Sequence, residues 1–369
     1  MVPPTIPCEL YLNNKNITRN IYDELVYTMK NGPPSFLLKQ KRGISFARLP
    51  QSHLPFGFMY AIIFSVMKMK KTILIILGSL LALVLVAAIV LVGNTFMYYP
   101  HYKENKETVT IEPKEENIKM MSYNLRCISP TDWGKKGWFY RADLIIDIIA
   151  DEKPGIIGFQ EATKWHYSYL VDSLNGYDSV ITYRDDAFNS EGCPIFYNTE
   201  LYTLVDKGSF WLSETPDVPS KSWGAQYNRV CSYVILTEKA TNKDFVVFNT
   251  HLSHVSDEAR INGIQVVLDK ISQFGSLPSV IMGDFNAVEG SVTYNSVTEN
   301  FLDAKYETEN SSELHTYNGW NNPEKFKRID YFMISKKGIK VNSYNVLTGI
   351  RNGELTSDHC PIVIEINLD

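Results

Sequence analysis

The sequence lacks the paired cysteines of a thiolate zinc site. Its five cysteines show no C-x-x-C spacing and are expected to be free, mostly buried thiols: Cys8, Cys127, Cys193, Cys231 and Cys360. Excess positive charge is also absent, because 36 Lys and Arg residues are set against 41 Asp and Glu residues. A broadly basic nucleic-acid-binding surface therefore has no support, although a local groove is compatible with this composition.

Two further absences narrow the class of protein. No G-x-S-x-G motif occurs, which argues against a Ser-His-Asp hydrolase with its nucleophile on a strand-to-helix turn. No internal repeat occurs at the periods that are typical of solenoid proteins. The chain of 369 residues instead has the length of one large domain or two ordinary ones.

One apolar run, residues 73–92, is long enough to cross a membrane, at about twenty residues without a charge. Lysines precede it and tyrosines follow it: Lys68, Lys70, Lys71, Tyr98 and Tyr99. We therefore expect a signal-anchor helix over residues 72–97 that crosses the cell membrane once, with the C-terminal part on the non-cytoplasmic side. A cleaved signal peptide and a buried core helix are the alternatives, but no small-x-small cleavage site follows and the run has no polar face.

The segments that flank this run differ from it in composition. Residues 1–66 show no clear period and are interpreted as a disordered extension or the product of a start codon assigned too early. Residues 99–117 are charged, which indicates a juxtamembrane linker. Over residues 118–369, short apolar strands alternate with turn signals and a few amphipathic helices, one through Arg141 to Ala150 and one beginning near Ser256. This pattern predicts an α+β fold.

Six of the predicted strands carry polar side chains at one end. Four strands lead into them at their C-terminal ends: Asn124, Glu161, His251, and Asp284 with Asn286. Two strands open with them instead: Asp330, and Asp358 with His359. If these last two strands run antiparallel to the other four, all the polar ends meet at one edge of the sheets. The result is a pocket with four carboxylates, two histidines and two asparagines.

This set of side chains suits phosphoryl transfer. Oxygen ligands without cysteine favour Mg²⁺ or Mn²⁺, and neutral donors beside a metal are what a phosphate group requires. Each residue alone also has an ordinary structural explanation. Glu161 can start a surface helix, His251 can be a half-buried histidine, and Asp330 can pair with Arg328. The agreement of six separate strand ends favours a shared site.

Six short motifs resemble those of the endonuclease/exonuclease/phosphatase superfamily, the fold of DNase I, in the order of that family. They lie at residues 122–124, 158–161, 249–252, 283–286, 328–332 and 357–361. The resemblance implies a four-layer α/β/β/α sandwich over residues 118–369, in agreement with the strand pattern. The FWLSETP stretch at residues 210–216 and Arg229 resemble features of a bacterial, membrane-anchored branch related to the CCR4-type deadenylases.

The same resemblance implies roles for individual residues. It implies three residues at the metal: Glu161 as the principal ligand, with Asp358 and Asn124 close to the same cation. It implies five catalytic residues: His251, Asp284, Asn286, Asp330 and His359. Among them, Asp284 orients or deprotonates water, and Asp330 orients His359 beside the phosphate. Substrate contacts are implied for Asn286, His251 and Arg229, although a surface ion pair is an equal explanation for Arg229.

We therefore expect a hydrolase that cuts a phosphodiester or phosphomonoester by in-line attack of water, with Mg²⁺ or Mn²⁺ as cofactor. Nucleic acid or nucleotides are the leading substrates, and tryptophans that loops bring to the pocket would stack bases: Trp133, Trp138, Trp211, Trp223 and Trp320. A phospholipid or sphingomyelin phosphodiesterase and a catalytically silent binding module are the alternatives. No protein partner is inferred.

Overall fold

Three short strands and a long helix form the N-terminal part of the chain. We describe the computed structural model over strands 22–28, 35–40 and 43–44 and over residues 56–104, 108–110 and 117–369. Cys8, most of the predicted extension and part of the predicted linker lie outside these residues. The chain divides into two units, Met1–Leu83 and Val84–Asp369. Strands β1 (Tyr22–Thr28), β2 (Ser35–Gln40) and β3 (Gly43–Ile44) form an antiparallel sheet.

Helix α1 (Phe56–Thr95) contains the apolar run of the sequence. The helical segment Ile62–Lys103 is long and apolar enough to cross a membrane, judged by length and composition. Its apolar side chains are exposed, with Leu74 at 69% and Leu83 at 69%. This exposure disfavours the alternative of a buried core helix, because a core helix would cover its apolar side chains. A short helix, α2 (Tyr99–Glu104), follows.

Two six-stranded mixed sheets form the body of the second unit. The first contains, in spatial order, β16 (Ile339–Val346), β19 (Ile362–Leu368), β5 (Ile118–Asn124), β6 (Ile156–Gln160), β9 (Ile195–Asn198) and β8 (Tyr177–Val180). The second contains β10 (Tyr202–Trp211), β11 (Val230–Glu238), β12 (Lys243–His251), β13 (Ser279–Asp284), β15 (Asp330–Ser335) and β14 (Phe301–Asp303). Two small pairs complete the strands: β4 (Val109–Thr110) with β7 (Leu174–Asn175), and β17 (Ile350–Arg351) with β18 (Glu354–Leu355).

Alternation along the strands sorts the apolar side chains into layers. Met120 and Met282, from different sheets, belong to one central cluster of buried residues. Their neighbours point the other way: Met121 packs with residues of α3 (Trp138–Glu152) and α4 (Lys164–Ser173), and Ile281 packs with α5 (Asp257–Ser272) and α6 (Val292–Thr298). Successive side chains of a strand point to opposite faces, so each sheet is covered on both sides. The order helix, sheet, sheet, helix agrees with the predicted sandwich.

Local sequence signals account for the helix boundaries. Ser256 caps α5 as predicted, because its Oγ accepts a hydrogen bond from the backbone N–H of Ala259. Helix α3 extends beyond the predicted span at both ends and ends at Lys153 in the left-handed conformation. The four described cysteines are free and three are buried, as expected: Cys127, Cys193, Cys231 and Cys360.

A polar link joins the two sheets below the predicted site. Gln160 at the end of β6 donates to Asn249 Oδ1 of β12 at 2.7 Å. Asn249 Nδ2 donates in turn to the carbonyls of Phe159 and Pro194, both at 2.8 Å. Because both side chains are fully buried, these hydrogen bonds fix the position of one sheet on the other.

Gly283 makes the close approach that lets β13 pair with β12. It has φ +140°, and a Cβ atom at this position would lie 1.9 Å from the carbonyl oxygen of Thr250. We expect Gly283→Ala to lower the free energy of unfolding by more than about 3 kcal/mol, since the backbone must shift. Gly290→Ala, also at positive φ but in open space, should cost about 1 kcal/mol. Equal losses for the two variants in urea unfolding would contradict this account.

Candidate active site

The strand directions bring all six predicted polar ends to one edge. Strands β5 and β6 are parallel, as are β12 and β13, whereas β15 runs antiparallel to β13 and β19 antiparallel to β5. Asp284 therefore stands in register with His251 on one side and Asp330 on the other. The antiparallel arrangement that the sequence analysis required is confirmed.

Asp284 lies at the centre of the cluster and is 1% exposed. Its Oδ2 accepts a hydrogen bond from Asn124 Nδ2 at 3.0 Å, and it lies 3.4 Å from His251 Nε2 and 3.7 Å from His359 Nε2. Burial and the neighbouring Asp330 raise the pKa of Asp284 to about 7. A carboxylate with a pKa near neutrality is suited to accept a proton from water.

His359 and Asp330 form a buried pair. His359 Nδ1 donates to Asp330 Oδ2 at 2.9 Å, and the Tyr317 ring packs against the imidazole at a centroid distance of 4.8 Å. Although burial alone would lower it, the charges of Asp330 and Asp284 raise the pKa of His359 to about 10. Such an imidazole carries both protons at neutral pH and serves as a charged donor.

A metal-binding arrangement is also conceivable for these three side chains. Asp284, Asp330 and His359 offer ligand atoms that all lie within 4.8 Å of one another. Because His359 Nδ1 donates to Asp330, a cation bound here would have to displace the hydrogen that this pair shares. We interpret these three residues as a proton-transfer and charge-stabilising group, and propose that the cation binds beside them.

Glu161 and Asp358 offer better oxygen ligands. Glu161 follows β6 with φ +58°, and its Oε2 accepts a hydrogen bond from the backbone N–H of Cys127 at 2.7 Å. Asp358 Oδ1 is buried without a hydrogen-bond partner among the described residues. Burial raises the pKa of Asp358, and the nearby charge of Glu161 adds to this effect. An unpartnered buried carboxylate oxygen is costly unless a cation binds it, so this pair fits Mg²⁺ or Mn²⁺.

Asn124 bridges the metal side and the catalytic side. Its Nδ2 donates to Glu161 Oε1 at 3.2 Å as well as to Asp284, and its Oδ1 accepts from the backbone N–H of Arg126 at 2.9 Å. In this arrangement the amide orients two carboxylates. Direct coordination by Asn124 stays a prediction.

Asn286 and His251 lie beside Asp284. The backbone N–H of Asn286 donates to Asp284 Oδ1 at 2.8 Å, and its side-chain amide donates to the carbonyl of Leu252 at 3.2 Å. His251 is kept neutral because burial and the charge of Arg229 lower its pKa well below the usual value. Both residues thus stand next to the catalytic carboxylate, and their phosphate contacts stay predictions.

Arg229 lines a recess together with Glu161 and His251. The sequence analysis identified these three residues but not the other residues of the recess. Arg184 and Glu191 complete its polar wall and pair at 2.7 Å. Arg184 Nε has no hydrogen-bond partner among the described residues, and the guanidinium lies 4.6 Å from the Tyr227 ring centroid. Neither Arg184 nor Glu191 belongs to a motif. The one signal was their opposite charge at a spacing of seven residues.

The predicted tryptophans do not line this recess. Trp138 is buried against His166, and Trp211 donates its indole N–H to the carbonyl of Arg184. Trp320 lies under the guanidinium of Arg141 at 5.5 Å, and Trp133 is 54% exposed. Instead, the aromatic ring described beside the Arg184 guanidinium is that of Tyr227.

Comparisons with known proteins identify the family to which this chain belongs. A family model described as the endonuclease/exonuclease/phosphatase family matches residues 121–359. The chain belongs to this family, whose members hydrolyse phosphate esters and generally depend on divalent metals. It is therefore a hydrolase of phosphate ester bonds.

Two solved structures and one curated relative illustrate the range. An endonuclease/exonuclease/phosphatase from Bacteroides vulgatus is 29% identical with a TM-score of 0.64, covering 69% of this chain and 99% of its own. A mannosyl-6-phosphatase from Bacteroides thetaiotaomicron is 32% identical with a TM-score of 0.62, covering 68% and 100%. The exoribonuclease subunit Ccr4 of Schizosaccharomyces pombe is 25% identical over an alignment of 273 positions, which covers 58% of this chain and 39% of Ccr4.

The metal side is tested by removing its ligands. We expect Glu161→Ala to weaken Mn²⁺ binding at least about tenfold, because a principal carboxylate ligand is lost. Asp358→Asn should also weaken Mn²⁺ binding. Isothermal titration with Mn²⁺ measures both, with Glu152→Ala, which removes a surface pair with Lys119, as the control. Wild-type affinity in both ligand variants would contradict the assignment.

The catalytic side is tested by His359→Ala. Turnover should fall by about 10²- to 10⁴-fold because a charged donor is lost, while Mn²⁺ affinity is largely kept. Asp330→Asn should also lower turnover, since it removes the acceptor that orients His359. His315, stacked on Phe326 at 3.7 Å, provides a matched His→Ala control that keeps its activity. If His359→Ala were as active as the wild type, the site would be misplaced.

Proposed function

We propose that this chain hydrolyses a phosphate ester by in-line attack of a water molecule, with Mg²⁺ or Mn²⁺ as cofactor. The observation that carries the proposal is that Asp358 Oδ1 has no hydrogen-bond partner among the described residues. The neighbouring residue, His359, belongs to the buried group that it forms with Asp284 and Asp330. Held by Glu161 and Asp358, with Asn124 close by, the cation would offset charge on the phosphate.

We assign proton transfer and stabilisation of the phosphate charge to the residues beside the cation. Asp284, with a pKa of about 7, orients water and takes its proton. His359, charged and fixed by Asp330, donates to the phosphate oxygens as negative charge develops there. Neutral His251 and the Asn286 amide supply further donors. These roles need no group beyond those that meet at the sheet edge.

We propose nucleotides or nucleic acid as the first substrate class. The Ccr4 relatives support this choice, as does Tyr227, whose ring lies 42% exposed and stacks on His254 at 6.1 Å beside the recess. Arg229, whose Nη2 lies 2.9 Å from His254 Nδ1, is the proposed substrate contact.

A phosphorylated sugar is the second candidate. The mannosyl-6-phosphatase is covered over its whole length, whereas Ccr4 is covered over 39%. The paired Arg184 and Glu191 line the recess, and we propose that they offer donors and acceptors to the hydroxyl groups of such a sugar. Nothing among the described residues supports the phospholipid or silent-module alternatives.

We also propose that α1 anchors the protein in the cell membrane with its catalytic domain on the non-cytoplasmic side. The length and exposed apolar surface of the helix support the crossing, and the lysines at residues 68–71 support the orientation. A bacterial origin of this branch stays a prediction of the resemblance.

One panel of substrates tests the function and the substrate class. The full chain in detergent is offered DNA, RNA, mononucleotides, mannose 6-phosphate, inositol phosphates and sphingomyelin with Mn²⁺ or Mg²⁺, with and without chelator. We expect chelator-sensitive release of phosphate or cleavage products from nucleotides or nucleic acid. Release from mannose 6-phosphate alone would favour the second candidate. Cleavage of sphingomyelin alone would reject both, and inactivity on every substrate without metal binding would reject the proposed function.

A further inference from the structure

Asn94 is a buried polar residue at the end of the apolar helix. It is 5% exposed and follows Val92, the last residue of the apolar run, by two positions. Both ends of its amide are used: Nδ2 donates to the carbonyl of Asp132 at 3.1 Å, and Oδ1 accepts from the backbone N–H of Gly134 at 3.0 Å. Asn94 thus fastens the loop that follows β5 to the last turn of α1.

Aromatic packing makes this attachment rigid. The Phe96 ring stacks on Phe139 of α3 at 5.2 Å, and the Tyr98 and Tyr140 rings meet at 4.9 Å. Desolvation of an amide is costly unless its hydrogen bonds are satisfied, and here both are. Asn94 therefore contributes to the position of the loop.

The same loop holds Arg126. Asp132 is 5% exposed, and its carboxylate binds Arg126 through two hydrogen bonds, from Nε at 2.9 Å and from Nη2 at 3.1 Å. A bidentate pair of this kind fixes the direction of the guanidinium as well as its position. Arg126 is thereby aimed at Asp132.

Arg126 also forms a long ion pair with Asp358, a proposed metal ligand. Its Nη1 lies 3.8 Å from Asp358 Oδ2, outside hydrogen-bond distance, while Asp358 Oδ1 remains unpartnered. An arginine released from Asp132 can move the short distance to a direct, bidentate pair with Asp358. Such a pair would occupy the oxygen atoms that the divalent cation needs.

We propose that Asn94 and Asp132 are positioning residues that hold Arg126 at 3.8 Å from Asp358, short of a direct hydrogen-bonded pair, so that the last turn of α1 affects the cation affinity of the site. The inference rests on the proposed function, because it assumes a cation at Glu161 and Asp358. It gives the last turn of α1 a role in cation binding that is separate from anchoring.

A double-mutant cycle on the full chain in detergent tests this inference, with Mn²⁺ affinity from isothermal titration as the readout. We expect Asn94→Ala and Asp132→Asn each to weaken Mn²⁺ binding by about tenfold, as loss of residues that orient ligands commonly does. Arg126→Ala should bind Mn²⁺ at least as tightly as the wild type. Adding Asn94→Ala or Asp132→Asn to Arg126→Ala should then cause no further loss, because the competing cation is gone.

Controls separate this effect from a loss of stability. Asp151→Asn removes another Asp–Arg pair, with Arg351, and should leave Mn²⁺ affinity unchanged. Thermal unfolding in chelator identifies any variant that fails to fold, and Asp132→Asn keeps the Asn94 contact if Asn94→Ala fails. Wild-type affinity in the single variants, or an undiminished loss in the Arg126→Ala background, would overturn the inference alone. Absence of Mn²⁺ binding by the wild type would overturn the proposed function and this inference with it.

Discussion

The buried carboxylate of Asp284 is the charge around which the site is organised. It is almost inaccessible to water, yet three polar side chains from three other strand ends lie within 3.7 Å of it. Removing a carboxylate from water is costly unless such partners compensate. The fold supplies His359 because β19 runs antiparallel to β5. It also brings Asp330, at the start of β15, to the same edge, where its carboxylate orients His359.

The interior below the site has the rigidity that this arrangement requires. The Gln160–Asn249 pair connects the sheets next to Glu161, which follows Gln160, and His251, which lies two residues after Asn249. Arg141, fully buried, donates to the carbonyls of Leu125 and Thr356 and so ties the loop after β5 to the segment that carries Asp358. The proposed metal ligands and catalytic groups are thus supported by Gln160, Asn249 and Arg141, which are not among them.

The strands and most of the site residues could be predicted from the sequence, because an apolar run that ends in a polar residue can be recognised locally. Alternation identified the strands, Ser256 identified the start of a helix, and the reversed order at Asp330 and Asp358 identified the antiparallel strands. The recess of Arg184 and Glu191 could not be predicted, because irregular loops place it. The charged residues 99–117 indicated a linker, whereas residues 99–104 form α2, in which Tyr102 packs on Tyr169 at 4.7 Å.

The central claim is that Glu161 and Asp358 hold the cation while Asp284, Asp330 and His359 handle protons. A crystal structure of the full chain grown with Mn²⁺, with anomalous diffraction at the manganese edge, tests it most directly. The account predicts a single strong peak within about 2.3 Å of carboxylate oxygens of Glu161 and Asp358. A peak coordinated instead by His359 with Asp284 and Asp330, or no peak at this edge of the sheets, would contradict it.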